Sequence, residues 1–483
     1  MKGPPRYVTA SVLCSFGGFL FGMDTGIIGP VTVMDEFVSQ FGSQTATVHG
    51  LLVSSILIPA AISSLFAGYL ADKLGRPKSI SIGALIFGLG TALEAAAVHI
   101  SMFVVGRCIE GIGEGLFLGT LVVYICEISP TRVRGVLTSG PQLLVTLGLV
   151  VGFFTCYGTA SIGSSFSWRA PFLILACLAF SFSISCLIWL LPSPRWLATH
   201  GRRSEAPGAW DHLGVIHAER EDIEVEQDER NRKLRDPQAP SALSGDRTVV
   251  PKRLLRSELL DLFSHDVRSR TAIAVFLMAM LQLSGIDGVL YYAPLLFEQA
   301  GLTSAESSFL ASGVSAIVIF SATIPALLFA DKWSRRHSII YGGIGTSIIM
   351  LLIGSLYAGN AVHSSSGAGR WIVILCIYIY AVIFSLTWAV SIKIYAAEIQ
   401  PQRTRASATN LAHGANWVTN FFVALITPIL LSKSSCGIYF LFSGSTLVAV
   451  MVCMVFMPET KGRSLDEIET AFKLESSELD RAL

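Results

Sequence analysis

Apolar stretches of about 20 residues, the length a helix needs to cross a bilayer, recur along this chain. They fall near residues 8–29, 49–70, 80–99, 103–123, 136–159, 170–191, 270–298, 307–330, 338–358, 371–395, 405–431 and 436–457. Hydrocarbon offers the backbone no water to bond, so each span must satisfy its own N–H and C=O groups as a helix. A membrane β-barrel would show short segments of alternating polarity, whereas these runs are continuous. The expected fold class is an all-α membrane protein with twelve transmembrane helices.

Composition agrees. Hydrophobic residues make up 52% of the chain and charged residues 14%, against about 25% charged in a soluble domain. A net charge of +1 gives no reason to expect a nucleic-acid partner. The nine cysteines are scattered, mostly inside apolar runs, with no metal-ligand spacing. No nucleophile–base pair or phosphate loop stands out, so neither an enzyme nor a cofactor or metal site is expected. The first apolar run begins near Tyr7, and no cleavable leader is expected before it.

The connections alternate in charge. One side carries Lys73, Arg76, Lys78, Arg132, Arg134, Lys332, Arg335, Arg336, Arg403 and Arg405, and the other carries Arg169, Arg370 and Lys433 with Asp35 and Glu36. The positive-inside rule makes the first side cytoplasmic, with both termini there. The expected division is an N-terminal six-helix half at 1–191, a cytoplasmic linker with short helices at 192–269, a second half at 270–457 and a cytoplasmic tail at 458–483.

The halves repeat each other. GYLADKLGRPK, from Gly68, has a counterpart in LLFADKWSRRH, from Leu327. YICEISPTRVRG, from Tyr124, matches YAAEIQPQRTRA, from Tyr395, with Tyr, Glu, Pro and Arg at the same offsets. Parallel repeats of six spans are a transporter architecture in which substrate binds between the halves near mid-membrane. Asp72 with Arg76, Glu127 with Arg134, Asp331 with Arg335 or Arg336, and Glu398 with Arg405 set opposite charges at the ends of helices on the basic side.

At these residues the chain resembles the sugar porter family of the major facilitator superfamily. The resemblance also rests on GGFLFGMDTG (from Gly17), GRCIEGIGEG (from Gly106), PSPRWL (from Pro192), LQLSGIDGVLYYAP (from Leu281), NWVTNF (from Asn416) and PETKGRSLDEI (from Pro458). It implies alternating access, with the charge pairs latching the halves on the cytoplasmic side. It implies a monosaccharide or polyol as substrate, membrane lipid as surroundings, a monomer, and the plasma membrane as location. In the family, an aspartate placed like Asp24 marks proton-coupled members and pairs with an arginine placed like Arg107. Carried onto matching positions, the substrate site comprises Phe21, Gln142, Gln282, Asp287, Tyr291, Asn416, Trp417 and Asn420. Gln282, Asp287 and Tyr291 run at spacings that share one helical face.

The chain departs from the family at several places. Pro192 stands for a glutamate, Ser334 for a glycine, Leu281 for the first of two glutamines, and Asp287 for an asparagine. In the tenth span Trp388 keeps its place, but Ala389 and Val390 replace the helix-breaking Gly-Pro pair, and Lys393 replaces an aromatic. A lysine in hydrocarbon costs roughly 3 kcal/mol on insertion scales. Four readings are open for Lys393: an ion pair with Asp287, a pair with Glu110 or Glu114, recognition of a carboxylate on an acidic sugar or quinate-like substrate, or snorkelling to the helix end. Glu94, near a helix end, is expected to be solvated. A non-transporting nutrient sensor on the same fold is the alternative from another class, although family sensors carry long tails and about 25 residues follow Pro458.

Overall fold

The computed structural model describes residues 5–200, 202, 204–215, 262–264, 267–302, 305–329, 332–362, 367–401 and 404–461. Among them lie twelve helical spans long and apolar enough to cross a membrane: α1 Arg6–Thr32, α2 Ala46–Leu74, α3 Arg76–Ala95, α4 Ile100–Ile128, α5 Arg132–Thr159, α6 Phe166–Trp189, α7 Arg268–Tyr291, α8 Phe309–Phe329, α9 Arg335–Ala358, α10 Ala368–Glu398, α11 Ser407–Lys433 and α12 Gly437–Phe456. No strand is present among the described residues. Of the expected linker, the short helices Pro194–Thr199 and Ala206–Leu213 are described; most of it, and the tail beyond residue 461, lie outside the described residues.

The internal repeat reappears in the packing. In the first half α1 lies on α5, α2 on α4, and α3 on both α4 and α6; in the second α7 lies on α11, α8 on α10, and α9 on both α10 and α12. A serine pair marks equivalent places: Ser81 Oγ and Ser183 Oγ are 2.9 Å apart between α3 and α6, and Ser347 Oγ and Ser443 Oγ are 2.9 Å apart between α9 and α12. Each hydroxyl also bonds its partner's backbone carbonyl. Such interhelical hydrogen bonds replace the hydrophobic drive that lipid does not supply. Outward-facing side chains are apolar, among them Ile62, Phe66 and Tyr69 on α2 and Leu187, Ile188 and Trp189 on α6, a surface suited to hydrocarbon.

The halves meet along two equivalent contacts, α2 against α11 and α5 against α8. These contacts lie toward the side away from the basic loops. There the backbone of Gly50 abuts the Leu425 carbonyl, that of Gly29 abuts the Tyr291 carbonyl, and Gly313 faces the Phe154 ring.

Glycine sets how closely α1 approaches α5. Gly18, Gly22 and Gly26, one per turn, face the backbone carbonyls of Pro141, Val145 and Leu149. GGFLFGMDTG is therefore a packing motif as well as a carrier of Asp24.

Two spans are interrupted. α7 stops at Leu283, turns at Gly285 with φ +93°, and resumes as Ile286–Tyr291. A Cβ at Gly285 would also overlap the Phe442 ring, so both backbone angle and space require glycine there. α10 is broken at Thr387, with φ −118° and ψ −72°, between helices Ala368–Leu386 and Trp388–Glu398. The break persists without the Gly-Pro pair: Trp388, fully buried, donates from Nε1 to the Ile339 carbonyl at 2.8 Å and anchors the second piece.

The PET segment caps α9. Ser334 accepts from the His337 N–H at 3.2 Å and donates to Glu459. The N–H groups of Arg335 and Arg336 donate to the same carboxylate at 3.1 and 3.2 Å, an anion placed at a helix N-terminus. Burial works against the Glu459 charge, but the Ser334 hydroxyl and the backbone donors of Lys461, Arg335 and Arg336 outweigh it and hold this carboxyl below its ordinary value.

Two outcomes are expected. Gly22→Ala places a methyl against the Val145 carbonyl and should cost roughly 1–3 kcal/mol, read as a fall in melting temperature in detergent, whereas Gly119→Ala, which meets nothing within 4 Å, should be neutral or stabilising. For Glu459 the native value is depressed, so its contribution is present above the unfolded value of about 4.3 and is lost as pH falls through the native value. The melting-temperature advantage of wild type over Glu459→Gln should be constant near neutral pH and shrink below pH about 4.

Candidate functional site

Asp24 sits mid-span on α1 and Arg107 about two turns into α4, both almost fully buried. Arg107 Nη1 donates to Asp24 Oδ1 at 2.5 Å. The same nitrogen is 3.2 Å from Glu110 Oε2 and 3.9 Å from Glu94 Oε2, and Nη2 reaches the Val53 carbonyl at 3.4 Å. Close helix approach makes this possible: Gly90 and Gly106 let α3 and α4 touch backbone to backbone. The expectation that Glu94 is solvated does not hold. It is wholly buried, because α3 turns this end inward against Gly106. Glu110 and Glu114 are also fully buried, gathered with Asp24 around Arg107 rather than directed at Lys393.

Across the interface lies a polar cluster on α7, α10 and α11. Gln282 Nε2 donates to Asn416 Oδ1 at 3.2 Å, and Asn416 Nδ2 donates to the Met278 carbonyl at 2.8 Å. Asn420 Nδ2 donates to Asp287 Oδ2 at 2.6 Å and lies 3.4 Å from the Tyr291 hydroxyl. Gln282, Asp287 and Tyr291 thus face α11 together, although they do not share one continuous helix: the turn at Gly285 separates the first from the other two. Gln282 Oε1 and Asn420 Oδ1 are buried without a hydrogen-bond partner in the protein, acceptors suited to a ligand's hydroxyl groups. On the facing half, Phe21 meets Trp417 edge-on with ring centroids 5.8 Å apart.

Lys393 is half-buried at the same level. Its Nζ donates to Gln142 Oε1 at 3.0 Å, a polar bridge from α10 to α5 and so between the halves. It forms no contact ion pair with Asp287, which is held by Asn420 instead, nor with Glu110, which is held by Arg107 and Thr91, nor with Glu114, whose oxygens have no partner. The side chain turns across the cavity and not to the helix end.

At the basic ends, Arg76 pairs with Asp72 at 2.8 Å and with Glu127 at 2.9 Å. Arg335 pairs with Glu398 at 3.2 Å, and Thr460 Oγ1 donates to Glu398 at 2.7 Å. These contacts lie within one half or the other. Arg134 is half-buried at the start of α5, and Arg336 donates to the Met454 carbonyl at 2.7 Å. Asp331 lies outside the described residues, as does the side chain of Arg405. Trp196 of PSPRWL donates from Nε1 to the Asp72 carbonyl at 2.9 Å, docking that segment without the missing glutamate. Thr91, which holds Glu110, carried no sequence signal: a threonine in an apolar run reads as packing.

This geometry can hold a neutral polyhydroxylated molecule between amides and a ring face, and it places a titratable carboxyl one turn from that ring. The model of the family described as sugar (and other) transporter matches residues 10–472. The low-affinity glucose transporter HXT3 of Saccharomyces cerevisiae is 28% identical over 97% of this chain and 83% of its own length. The galactose transporter of the same yeast is 30% identical over 97% and 82%, and the sugar transport protein MST7 of Oryza sativa is 29% identical over 95% and 90%. Among solved structures, the inward-open xylose transporter XylE from E. coli superposes with a TM-score of 0.76 at 23% identity, over 96% of this chain and 99% of that one; this likeness is one of fold. With a family model spanning nearly its whole length, the chain belongs to the sugar transporter family, as a twelve-span membrane protein with the major facilitator fold.

Proposed function

We infer that this protein is a secondary active carrier that moves a monosaccharide or polyol across the membrane by alternating access, in symport with protons. The observation that carries the reading is the adjacency of two sites: the buried Asp24–Arg107 pair, and a cluster of amides with unused acceptors that Phe21, one turn from Asp24, closes against Trp417. Curated relatives are named as glucose and galactose transporters, and a solved neighbour is named a proton:xylose symporter. Phe21, Gln142, Gln282, Asp287, Tyr291, Asn416, Trp417 and Asn420 are the proposed substrate ligands.

A proton on Asp24 cancels the charge that ties α1 to α4 through Arg107. This loosens α1 within the first half, and the halves rock about the α2–α11 and α5–α8 contacts. With the basic loops cytoplasmic, the packed side at Gly29 and Gly50 is extracellular, and both termini are cytoplasmic. In the alternate state Arg76, Glu127 and Arg134, with Asp331, Arg335, Arg336, Glu398 and Arg405, close the cytoplasmic side as a latch. The protein is read as a monomer of the plasma membrane.

A second reading has one observation in its favour. Lys393 makes its direct contact with a neutral amide, and Asp287 acts on it only at a distance, so a carboxylated sugar or a quinate-like acid would supply the missing contact ion pair.

Uptake by hexose-transport-deficient cells separates these readings, measured with D-glucose, D-xylose, a polyol, D-glucuronate and quinate, each with and without protonophore. Protonophore-sensitive accumulation of neutral substrates supports the first reading, and uptake confined to the acids supports the second. No uptake from protein shown at the cell surface argues for a sensor. Asp24→Asn should lose uphill accumulation while keeping downhill exchange; pH-dependent accumulation by that variant would remove Asp24 from the mechanism. Lys393→Trp should keep neutral-sugar uptake and lose any acid uptake by at least about tenfold, roughly 1.4 kcal/mol.

A further inference from the structure

Arg107 Nη1 lies within hydrogen-bond distance of two carboxylates at once: Asp24 Oδ1 on α1 at 2.5 Å, and Glu110 Oε2, three residues along its own helix, at 3.2 Å. The other oxygen of Glu110 accepts from Thr91 Oγ1 at 2.9 Å. Glu94 is aimed into the same place: its Oε2 is 3.9 Å from Arg107 Nη1, it is fully buried, and its carboxyl meets that of Glu110. Glu114, one turn along α4, faces Glu110 and Asp24, and Tyr291 on α7 faces Glu114 and Asp24. α2 presents the Val53 carbonyl and no charged residue between His49 and Asp72, α3 none between Lys78 and Glu94, and α5 none after Arg134.

We propose that Glu110 is a second counter-ion of Arg107, which receives the guanidinium when Asp24 takes up a proton. This rests on the reading of Asp24 as the coupling carboxylate. A released arginine would otherwise be a bare cation in the low-dielectric interior. When Glu110 carries its charge, the proton entering at Asp24 neutralises surplus negative charge, and Arg107 exchanges a bond between helices for one within α4. The tie from α1 to α4 is cut without leaving an unpaired charge. Thr91 is the positioning residue, since its hydroxyl holds the far oxygen of Glu110.

The test needs no substrate. In purified wild type, the carbonyl stretch of protonated carboxyls is titrated by infrared spectroscopy, and the Asp24 signal is identified by its loss in Asp24→Asn. Glu110→Gln removes the second counter-ion, so protonating Asp24 would strand Arg107; the midpoint of the Asp24 signal should move to lower pH by about one unit, a tenfold change. Thr91→Val, which leaves every charge in place, should move it the same way by less, and it decides the matter if Glu110→Gln does not fold. A midpoint unchanged in both variants, or no Asp24-dependent signal at all, overturns the proposal. Uptake of D-glucose, D-xylose and the polyol, run alongside, keeps the two readings apart. A shifted midpoint in a protein that moves none of D-glucose, D-xylose and the polyol keeps this proposal and removes the sugar reading, and uptake of any of them with an unmoved midpoint does the reverse.

Discussion

A guanidinium buried at mid-membrane must be compensated, and the first half is arranged around that need. Removing one partner from a buried pair costs about 3–5 kcal/mol, far more than the near-zero worth of a solvated pair. Arg107 is met by Asp24, Glu110 and Glu94 from three helices. Those carboxyls reach it only because α1, α3, α4 and α5 touch at glycines. A site built this way is sensitive to charge, because one proton changes which helix the cation holds.

The second half solves a different problem with the same scaffold. It pairs its helices as the first half does, down to an equivalent serine bridge, yet its interior carries amides instead of a charge network. One half thus holds most of the titratable groups and the other most of the hydrogen-bonding surface. Lys393 crosses between them to Gln142, so any occupant of the cavity must coexist with that bridge or displace it.

Much of the fold was legible because bilayer spans impose a length and a polarity that no tertiary contact can override. The twelve runs and the repeat of Asp72 and Glu127 in Asp331 and Glu398 were open to view in this way. The pairing of Asp24 with Arg107 came from a resemblance, and the coordinates bring those side chains to 2.5 Å. The turn at Gly285 and the break at Thr387 were not legible: the first hides in an apolar run, and the second has no breaker residue.

By itself the sequence determined that the chain crosses a membrane twelve times as helices, in two related halves, with ionisable residues inside that must have partners. Hydrocarbon makes those requirements local, so local composition states them. Which partners are chosen was decided only by tertiary structure. Lys393 bonds Gln142 and meets Asp287 only at a distance, Glu94 is buried and not solvated, and Glu110 shares Arg107 with Asp24. These choices depend on ångström distances between helices far apart in sequence, set by glycines whose role is visible only once the helices are packed.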